Sequence, residues 1–500
     1  MIASVFSQVV TLVLGIIIPR LVLVNLGSEA NGLLNTISNV LVYVALLEAG
    51  VGEASRQALY GPVGRQDYEN INSVLAATDH FYKRTGRWYF AIILLLTFMF
   101  PLTLDSELPR WQIMSVMFLS GMPGVIKYYY QGKFNILLRT EGKGYILTNI
   151  STAVHVGTSL SKIVLLLAGA DIVGLQVMYL GFNLLQVGGL ALYIHRNYPW
   201  INLKVKPNFE SIAQSKNVLV HQISSLVFFN TDSLLLSYFC GLKAVSVYSI
   251  YTMLFGFIST AIGYFSSIDF ILGQNFHTDR KRYMKLIDTY ECFNMTLTFC
   301  LFCIANIFIN PFLKLYTAGV TDIEYVDKFL PYLLIMTYLL SNGRVSSSLT
   351  INFAGHFKQT QYRSLLESAI NIVVSLLCVW KFGIYGVLMG TIAALLYRTN
   401  DMILYANRKI LGRNPWTTYR RWLLNLALFI VVTVVGKWFF SFIALDSYFR
   451  IIGWAVVCCI VVIPFFFGVV SLCEREVFHF AMDLLMPYLR KMKEKYPPKA

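Results

Sequence analysis

The stretch IIGWAVVCCIVVIPFFFGVVSLC at residues 451–473 contains no charged side chain in 23 positions. A helix needs about 20 apolar residues to cross the hydrocarbon core of a bilayer, so this stretch predicts a membrane-spanning helix. Working back along the chain, thirteen further apolar runs precede it. Their approximate bounds are 3–25, 33–57, 87–104, 111–136, 146–168, 172–195, 217–240, 243–273, 288–310, 328–352, 362–382, 384–407 and 419–443. The sequence therefore predicts an all-α, polytopic membrane protein with about 14 transmembrane helices.

The composition supports this interpretation. Hydrophobic residues make up 56% of the 500 positions and charged residues only 13%, whereas soluble domains are about 25% charged. This excludes a cytosolic enzyme, a secreted disulfide scaffold and a disordered chain. The net charge of +15 is scattered between the apolar runs, so nucleic acid is not an expected partner. The eight cysteines lie in or beside apolar runs, where small-residue packing is the expected role.

The positions of the basic residues predict the orientation. Of the 41 Lys and Arg residues, 29 follow even-numbered spans and 6 follow odd-numbered spans. The positive-inside rule then places both termini in the cytoplasm, and the lipid bilayer is the surrounding medium. The residues 65–86 and 196–216 are amphipathic and are expected to form interfacial helices on the cytoplasmic side. The tail after residue 473 predicts a surface helix ending in basic residues near anionic lipid, or simply a solubilising tail.

A weak internal repeat predicts the domain organisation. At an offset of 214, residues 7–34 align with 221–248 without gaps, and Gly27 meets Gly241. Six spans separate the copies, so both face the same way and predict a parallel repeat of two six-helix lobes. The expected segments are an N-terminal lobe at 1–195, an amphipathic cytoplasmic linker at 196–216, a C-terminal lobe at 217–410, two additional transmembrane helices at 411–473 and a basic cytoplasmic tail at 474–500.

Cations at membrane depth are candidates for a binding site, because burying a charge in the bilayer costs about 2.5–3.5 kcal/mol on insertion scales. Arg20 follows a proline inside an apolar run, and Lys162 has serines on nearby turns. Arg344 lies in the polar stretch SNGRVSSS at 341–348, which a lipid-facing helix would not tolerate. These three cations would suit an anionic substrate, and arginine matches a diphosphate by bidentate hydrogen bonds.

Other charged residues at membrane depth have simpler explanations. Lys133 and Lys437 lie near predicted span ends, so they are expected to extend toward the interface. Arg56 lies three residues after Glu53 and is expected to pair with it. These residues are therefore not placed in the site.

Three acids are candidates for coupling to H⁺ or Na⁺, because a carboxylate at membrane depth can carry a proton or bind a cation. They are Asp232, Glu48 and Glu367. Asn230 and Thr231 beside Asp232 could supply further oxygen ligands. An internal salt bridge is the alternative for each acid. No cofactor, metal or catalytic residue is expected.

Parts of the sequence resemble bacterial polysaccharide flippases of the O-antigen type, within the multidrug, oligosaccharidyl-lipid and polysaccharide exporter (MOP) superfamily. The resemblance covers roughly residues 1–410. The last two spans match by hydropathy alone. The segments that carry it are 19–21, 26–32, 231–233, 241–248, 354–358, 382–386 and 390–391, together with Glu367, Asn371 and Ser375.

This resemblance implies two six-helix lobes that work by alternating access in the bacterial cytoplasmic membrane. It implies translocation of an undecaprenyl-diphosphate-linked oligosaccharide from the inner to the outer leaflet, for polysaccharide export. A cationic lumen would receive the diphosphate and sugar, with Arg20, Lys162 and Arg344 as the candidates. The polymerase or glycosyltransferases of the same pathway are expected partners.

Three alternatives stay open at the sequence level. The first is a multidrug or cation antiporter of the same fold, which a cationic lumen disfavours because like charges repel. The second is a flippase for a lipid-linked peptidoglycan precursor. The third is a membrane-embedded enzyme of the same pathway, which the lack of a long outer loop disfavours. The sequence therefore predicts a transporter rather than an enzyme.

Overall fold

A computed structural model of the protein describes residues 2–48, 51–210, 230–265 and 268–495. These residues form helices joined by short turns, with no β-strand among them. All fourteen predicted apolar runs fall on helices wherever the structure describes them. The prediction of an all-α, polytopic membrane protein is therefore confirmed.

The first half of the described chain contains seven α-helices and one 3₁₀ turn. The helices are α1 (Ile2–Val44), α2 (Val51–Gly64), α3 (Tyr68–Thr103), α4 (Arg110–Tyr130), α5 (Gly132–Thr140), α6 (Gly144–Leu167) and α7 (Ile172–Asn197), with the 3₁₀ turn at Ala45–Glu48 after α1. Residues 230–239 are also helical.

The second half contains ten α-helices and one π-helical turn. The helices are α8 (Gly241–Phe265), α9 (Asp269–Thr278), α10 (Arg280–Tyr316), α11 (Leu330–Gly343), α12 (Val345–Phe353), α13 (Phe357–Phe382), α14 (Ile384–Tyr405), α15 (Trp416–Phe440), α16 (Tyr448–Cys473) and α17 (Arg475–Lys495), with the π turn at Ala406–Leu411 after α14. Nine helical stretches in the described residues are long and apolar enough to cross a membrane.

Aspartates at the ends of loops start several of these helices. The Asp67 carboxylate accepts from the backbone N–H of Asn70 at 3.1 Å, and Asp171 and Asp279 cap α7 and α10 in the same way. A side-chain oxygen at this position satisfies a backbone donor that the first turn leaves open. Hydrogen bonding to Asn70 also lowers the pKa of Asp67.

The chain divides into two compact units that differ from a simple halving of the sequence. The first contains residues 1–250, 319–323 and 375–387, and the second contains 251–318, 324–374 and 388–500. The core of the first unit includes Leu33, Leu75 and Met117, none of which is exposed. In the second unit, Tyr283, Ile287 and Leu272 form a buried cluster with Tyr290. The predicted domain bounds at 195, 216 and 410 stay a prediction.

Of the two predicted interfacial helices, 65–86 is helical from residue 68 onward but is not a separate element, and the prediction of a helix at 196–216 is wrong over 198–209. Residues 68–86 continue without a break into the third predicted span, because α3 is one helix of 36 residues. Such a helix is about 54 Å long, well beyond the roughly 30 Å hydrocarbon core, so its first turns extend past the span. Residues 198–209 are turns and extended chain rather than a helix. Residues 211–216 lie outside the described residues.

Two glycines that the repeat aligns share an unusual backbone conformation. Gly27 has a φ of 84° inside α1, and Gly241 has a φ of 82° at the start of α8. Residues that carry a side chain rarely adopt a positive φ, so glycine is the residue that permits the break. After Gly27, the Asp322 carboxylate accepts from the backbone N–H of Ser28 at 2.8 Å and from its hydroxyl at 2.7 Å. The same break at both aligned positions supports the alignment of 7–34 with 221–248.

Candidate binding cavity

A polar cavity of about 590 Å³ lies in the first unit, between α2, α5, α6 and α7. Among the described residues that line it, two are charged, and both are arginines: Arg56 on α2 and Arg139 on α5. The polar lining residues are Gln131, Asn135, Tyr145, Thr148, Ser151 and Gln186. Two guanidinium groups in this lining favour an anionic ligand with hydrogen-bonding hydroxyls.

The rim of this cavity is held by a cluster of charges in the turn between α5 and α6. Gly142 and Gly144 line the cavity, and the residue between them, Lys143, pairs with Glu141 at 2.8 Å. The Tyr198 hydroxyl accepts from Lys143 Nζ at 2.9 Å and donates to Glu141 at 2.5 Å. The hydrogen bond to Glu141 raises the pKa of Lys143, and burial raises the pKa of Tyr198 to about 12. The turn that shapes the cavity is therefore fixed at neutral pH.

The sequence argument missed both arginines of the cavity. Arg139 is one of the 29 basic residues after even-numbered spans that predict the orientation, and Arg56 is predicted to pair with Glu53. The side chain of Glu53 lies outside the described residues, so that pair stays a prediction. Arg139 lies five residues before Gly144, the first residue of α6, and nothing in the sequence there predicts a cavity. The packing of α2 against α5 places Arg139 and Arg56 in the lining of the same cavity.

The three cations selected from the sequence are divided between the two units. Arg20 on α1 is half-buried in the first unit, one residue after Pro19. Lys162 on α6 lies in the same unit, and its ammonium group is 5.3 Å from the centre of the Tyr179 ring. Arg344 lies between α11 and α12 in the second unit. Neither Arg20 nor Lys162 lines the polar cavity.

Arg344 belongs to a network of ion pairs in the second unit. Its Nη1 lies 2.5 Å from Glu367 Oε1, and Arg398 Nε lies 3.5 Å from the other oxygen of Glu367. Arg398 also pairs with Asp401 at 2.7 Å, and Arg363 contacts the same carboxylate. Three arginines thus surround two carboxylates, leaving one formal positive charge. The internal salt bridge that the sequence left open for Glu367 is the arrangement observed.

The polar stretch around Arg344 packs inside the second unit, as expected for residues that a lipid-facing helix would not tolerate. Ser346 and Ser347 are 5% and 3% exposed. The Ser346 hydroxyl donates to Glu291 Oε2 at 3.1 Å. Hydroxyl groups directed at a buried carboxylate explain why a membrane helix has this sequence.

The other two candidate acids accept hydrogen bonds from tyrosines in the first unit. The Tyr82 hydroxyl donates to Glu48 Oε1 at the end of the 3₁₀ turn. The Tyr248 hydroxyl donates to Asp232 Oδ2 at 3.0 Å, and Asp232 is 4% exposed. The neighbouring Thr231 hydroxyl bonds to the Tyr43 hydroxyl at 2.7 Å. These contacts hold both carboxylates in place.

A second cluster of buried charges in the described part of the second unit was also missed from the sequence. Arg421 on α15 is 1% exposed and pairs with Asp288 at 2.7 Å and with Glu291 at 3.2 Å. Arg413 pairs with the same two acids at 2.7 and 2.6 Å. Glu474, just before α17, lies 2.9 Å from Arg421. Glu291 lies three residues and Arg421 two residues after the start of an apolar run, so their depth was visible, but their pairing depends on the packing of α10 against α15.

One residue expected to extend toward the membrane interface is instead buried. Lys133 on α5 is 7% exposed, and its ammonium group pairs with Asp79 on α3 at 2.5 Å. The prediction of an interfacial position for Lys133 was wrong, because α5 is a short helix packed against α3 rather than the end of a span.

Cys300 and Cys303 are fully buried, and the Cys303 Sγ lies 3.3 Å from the Thr433 hydroxyl. Both cysteines therefore pack as small core residues.

No protein-family model and no curated protein sequence matches the chain. Solved structures do match it in fold. The lipid II flippase MurJ, in an inward closed conformation, aligns over 96% of this chain and 100% of its own with a TM-score of 0.70 and 14% identity. An inward-facing multidrug resistance MATE family transporter of the MOP superfamily aligns over 80% of this chain and 95% of its own, with a TM-score of 0.62 and 14% identity.

A third match is a MOP superfamily transporter from Pyrococcus furiosus, with a TM-score of 0.51 and 13% identity over 81% of this chain and 96% of its own. The binding pocket of that transporter has a reverse polarity, which suggests a different function for that protein. At these identities the matches show the fold. The chain is a multi-pass membrane protein with the two-lobe fold of MOP superfamily transporters.

Proposed function

We propose that this protein translocates an undecaprenyl-diphosphate-linked oligosaccharide from the inner to the outer leaflet of the bacterial cytoplasmic membrane. The observation that carries the proposal is the polar cavity, in which Arg56 and Arg139 are the charged members of the described lining. A diphosphate presents the paired oxygens that guanidinium groups bind. The amide and hydroxyl groups of the lining suit a sugar. Arg20 and Lys162 in the same unit are proposed as further contacts to the head group.

The polarity of the cavity disfavours a cationic substrate. A cationic drug placed beside Arg56 and Arg139 would meet like charge at short range, and that repulsion is stronger at low dielectric than in water. A multidrug or cation antiporter is therefore the weaker candidate. The fold alone does not separate the two classes, because MATE transporters share it.

A second candidate is a flippase for a lipid-linked peptidoglycan precursor. The observation that favours it is the extent of the match to MurJ, which covers 96% of this chain, whereas the MATE match covers 80%. The difference is about 80 residues, which is the length of the segment from α15 to α17. Both lipid-linked substrates carry a diphosphate, so the cavity suits either, and the sugar portion distinguishes them.

Ion coupling is proposed at the acids selected from the sequence. Asp232 and Glu48 are the stronger candidates, because each accepts a hydrogen bond from a neutral tyrosine. Glu367 is the weaker one, because Arg344 and Arg398 already neutralise it. A carboxylate that loses and regains a proton or Na⁺ would link the gradient to alternating access.

The test is the accessibility of lipid-linked sugar in cells depleted of this protein. An impermeant sugar-reactive probe labels the outer leaflet, and polyprenyl lipids are then extracted. We expect the intermediate to accumulate unlabelled, and wild-type protein to restore labelling. Arg56→Ala with Arg139→Ala should restore less than a tenth of it, whereas the exposed control Arg84→Ala with Arg87→Ala should restore it fully.

Normal membrane abundance of each variant is confirmed by immunoblot. Unchanged labelling on depletion, with no accumulated intermediate, would contradict the proposal. The chemical identity of the accumulated lipid then separates the two flippase candidates. An oligosaccharide supports the proposal, and an accumulated peptidoglycan precursor supports the second candidate.

A further inference from the structure

A second cavity in the first unit differs from the polar one in its chemistry. It has a volume of about 620 Å³ and lies between the end of α1, the second half of α3 and residues 230–239. Its lining is mostly aliphatic and aromatic: Val40, Val44, Leu46, Leu47, Ile92, Leu96, Phe100, Leu104 and Leu234, with Tyr43, Thr103, Ser237 and Tyr238. These residues belong to three predicted spans, so the cavity lies at membrane depth.

Three of the four hydroxyl groups in this lining are directed at protein partners. The Tyr43 hydroxyl bonds to Thr231 at 2.7 Å, and the Ser237 hydroxyl donates to the carbonyl of Leu234 at 2.8 Å. The Thr103 hydroxyl lies 3.2 Å from the carbonyl of Met99. The fourth hydroxyl belongs to Tyr238, which lies on the exposed rim. A chain of methyl and methylene groups suits this mostly apolar surface better than a polar ligand does.

Exposed apolar side chains border the cavity. Leu95, Phe98 and Leu102, on the outer face of α3 beside it, are 57%, 61% and 73% exposed, and Tyr238 on its rim is 65% exposed. Large exposed apolar side chains on a membrane helix contact lipid tails. A hydrocarbon chain can therefore enter the cavity sideways from the bilayer.

One short stretch of chain contributes to both cavities. Leu47 lines the apolar cavity and Arg56 lines the polar one. Arg56 lies nine positions after Leu47, so the two Cα atoms are at most about 32 Å apart even if the chain were fully extended. A single amphiphile with a long apolar tail and a diphosphate head can occupy both cavities.

We propose that the apolar cavity binds a section of the isoprenoid tail of the lipid-linked substrate while the polar cavity holds its diphosphate. This inference rests on the proposed function and adds a tail site to it. The tail site contributes affinity through van der Waals packing of the tail against the cavity wall, and it fixes where the lipid enters the first unit. Cavities of this size are typical of ligand sites.

The test compares undecaprenyl diphosphate, whose tail is long enough to reach from one cavity to the other, with inorganic diphosphate on the full chain in nanodiscs of phosphatidylethanolamine and phosphatidylglycerol. Leu96→Trp and Leu234→Trp fill the cavity from two sides. Leu95→Trp, on the preceding residue of α3, lies outside the cavity lining on an exposed position and is the matched control. We expect each filled variant to weaken undecaprenyl diphosphate binding at least tenfold and to keep inorganic diphosphate within twofold, whereas the control changes neither.

The outcomes separate the tail site from the proposed function. Wild-type affinity for undecaprenyl diphosphate in both filled variants, with diphosphate still bound, would overturn the tail site and leave the proposed function standing. If the wild-type protein binds neither probe, the proposed diphosphate recognition fails, and the tail site fails with it. A diazirine-bearing phospholipid that labels Tyr43 and Leu47 as strongly as a diazirine-bearing undecaprenyl diphosphate would make an ordinary acyl chain the occupant and overturn the proposal.

Discussion

At the scale of single residues, the structure pairs most of the charges that it buries. Lys133 is bound to Asp79, Arg344 to Glu367, and Arg421 to two acids at once. A charge moved out of water is tolerated when a partner of opposite sign and further hydrogen bonds replace the lost hydration. Arg139 differs from these buried charges, because its side chain is exposed at the polar cavity. Exposure at a polar cavity is what marks Arg139 as a functional candidate.

The first residue-scale prediction concerns Arg421. Arg421→Ala removes the guanidinium that lies between Asp288, Glu291 and Glu474. Breaking a buried pair from one side costs about 3–5 kcal/mol, because the remaining carboxylates stay buried. Thermal unfolding of the detergent-solubilised protein should therefore shift strongly to lower temperature.

The neighbouring Arg420 provides the control for this prediction. Arg420 also contacts Glu474, but its side chain is 58% exposed. Exposed pairs contribute less than about 1 kcal/mol, so Arg420→Ala should unfold near the wild-type temperature. Equal shifts for the two variants would show that burial does not set the contribution of these ion pairs.

The second residue-scale prediction concerns Arg344 and Glu367. Arg344→Met or Glu367→Met alone leaves a buried charge without its partner at 2.5 Å, so each should lower the unfolding temperature. The double variant removes one charge of each sign and leaves the formal charge of the network unchanged. We expect it to recover stability and outer-leaflet labelling together. Recovered stability with labelling still lost would instead make Arg344 a substrate contact.

At the scale of elements, close approach of backbones fixes where helices meet in the first unit. A Cβ added to Gly32 on α1 would lie 1.9 Å from the carbonyl oxygen of Leu242 at the start of α8. No side-chain movement relieves a clash with backbone. Gly32 follows the break at Gly27, so the direction of α1 after the break and its contact with α8 depend on two glycines five residues apart.

The element-scale prediction follows from this contact. Gly32→Ala should prevent close packing of α1 on α8 and reduce the amount of folded protein in the membrane several-fold. Gly181→Ala on α7 is the control, since a Cβ there meets nothing within 4 Å. Replacing a helical glycine by alanine without a clash gains up to about 1 kcal/mol, so this variant should unfold at or slightly above the wild-type temperature. Fluorescence-detected size-exclusion chromatography measures both.

Hydropathy predicted the helices of this protein well and predicted their junctions poorly. The stretch at 451–473 and the other runs fall on helices because apolar length is a local property. The continuity of α3 through 68–103 was missed, because a polar first half looks interfacial whether or not it continues into a span. The cavity arginines were missed for a different reason. Arg56 and Arg139 become neighbours only when α2 packs on α5, and one sequence contains no record of that contact.

At the scale of the whole molecule, buried charges bind the last helices to α10 within the second unit. Asp288 and Glu291 on α10 form ion pairs with Arg413, just before α15, and with Arg421 in its first turns. Glu474, just before α17, also pairs with Arg421. Val477 on α17 packs with Cys292 and Val470. The MATE match covers 80% of this chain, whereas the MurJ match covers 96%. The additional helices are therefore part of the fold that this chain shares with MurJ.

The whole-molecule prediction is that a chain truncated after residue 411 does not accumulate in the membrane. Truncation removes Arg413 and Arg421 and leaves Asp288 and Glu291 on α10 without these partners. Adding Asp288→Asn and Glu291→Gln to the truncated chain removes the unpaired charge while keeping the side-chain shape. Because the uncompensated carboxylates rather than lost apolar contact would then be the main defect, we expect these two substitutions to restore at least half of the membrane-inserted protein measured by immunoblot. Failure of that rescue, with the full-length double variant still inserted, would show that apolar packing of α15 to α17 on α10 is the larger contribution.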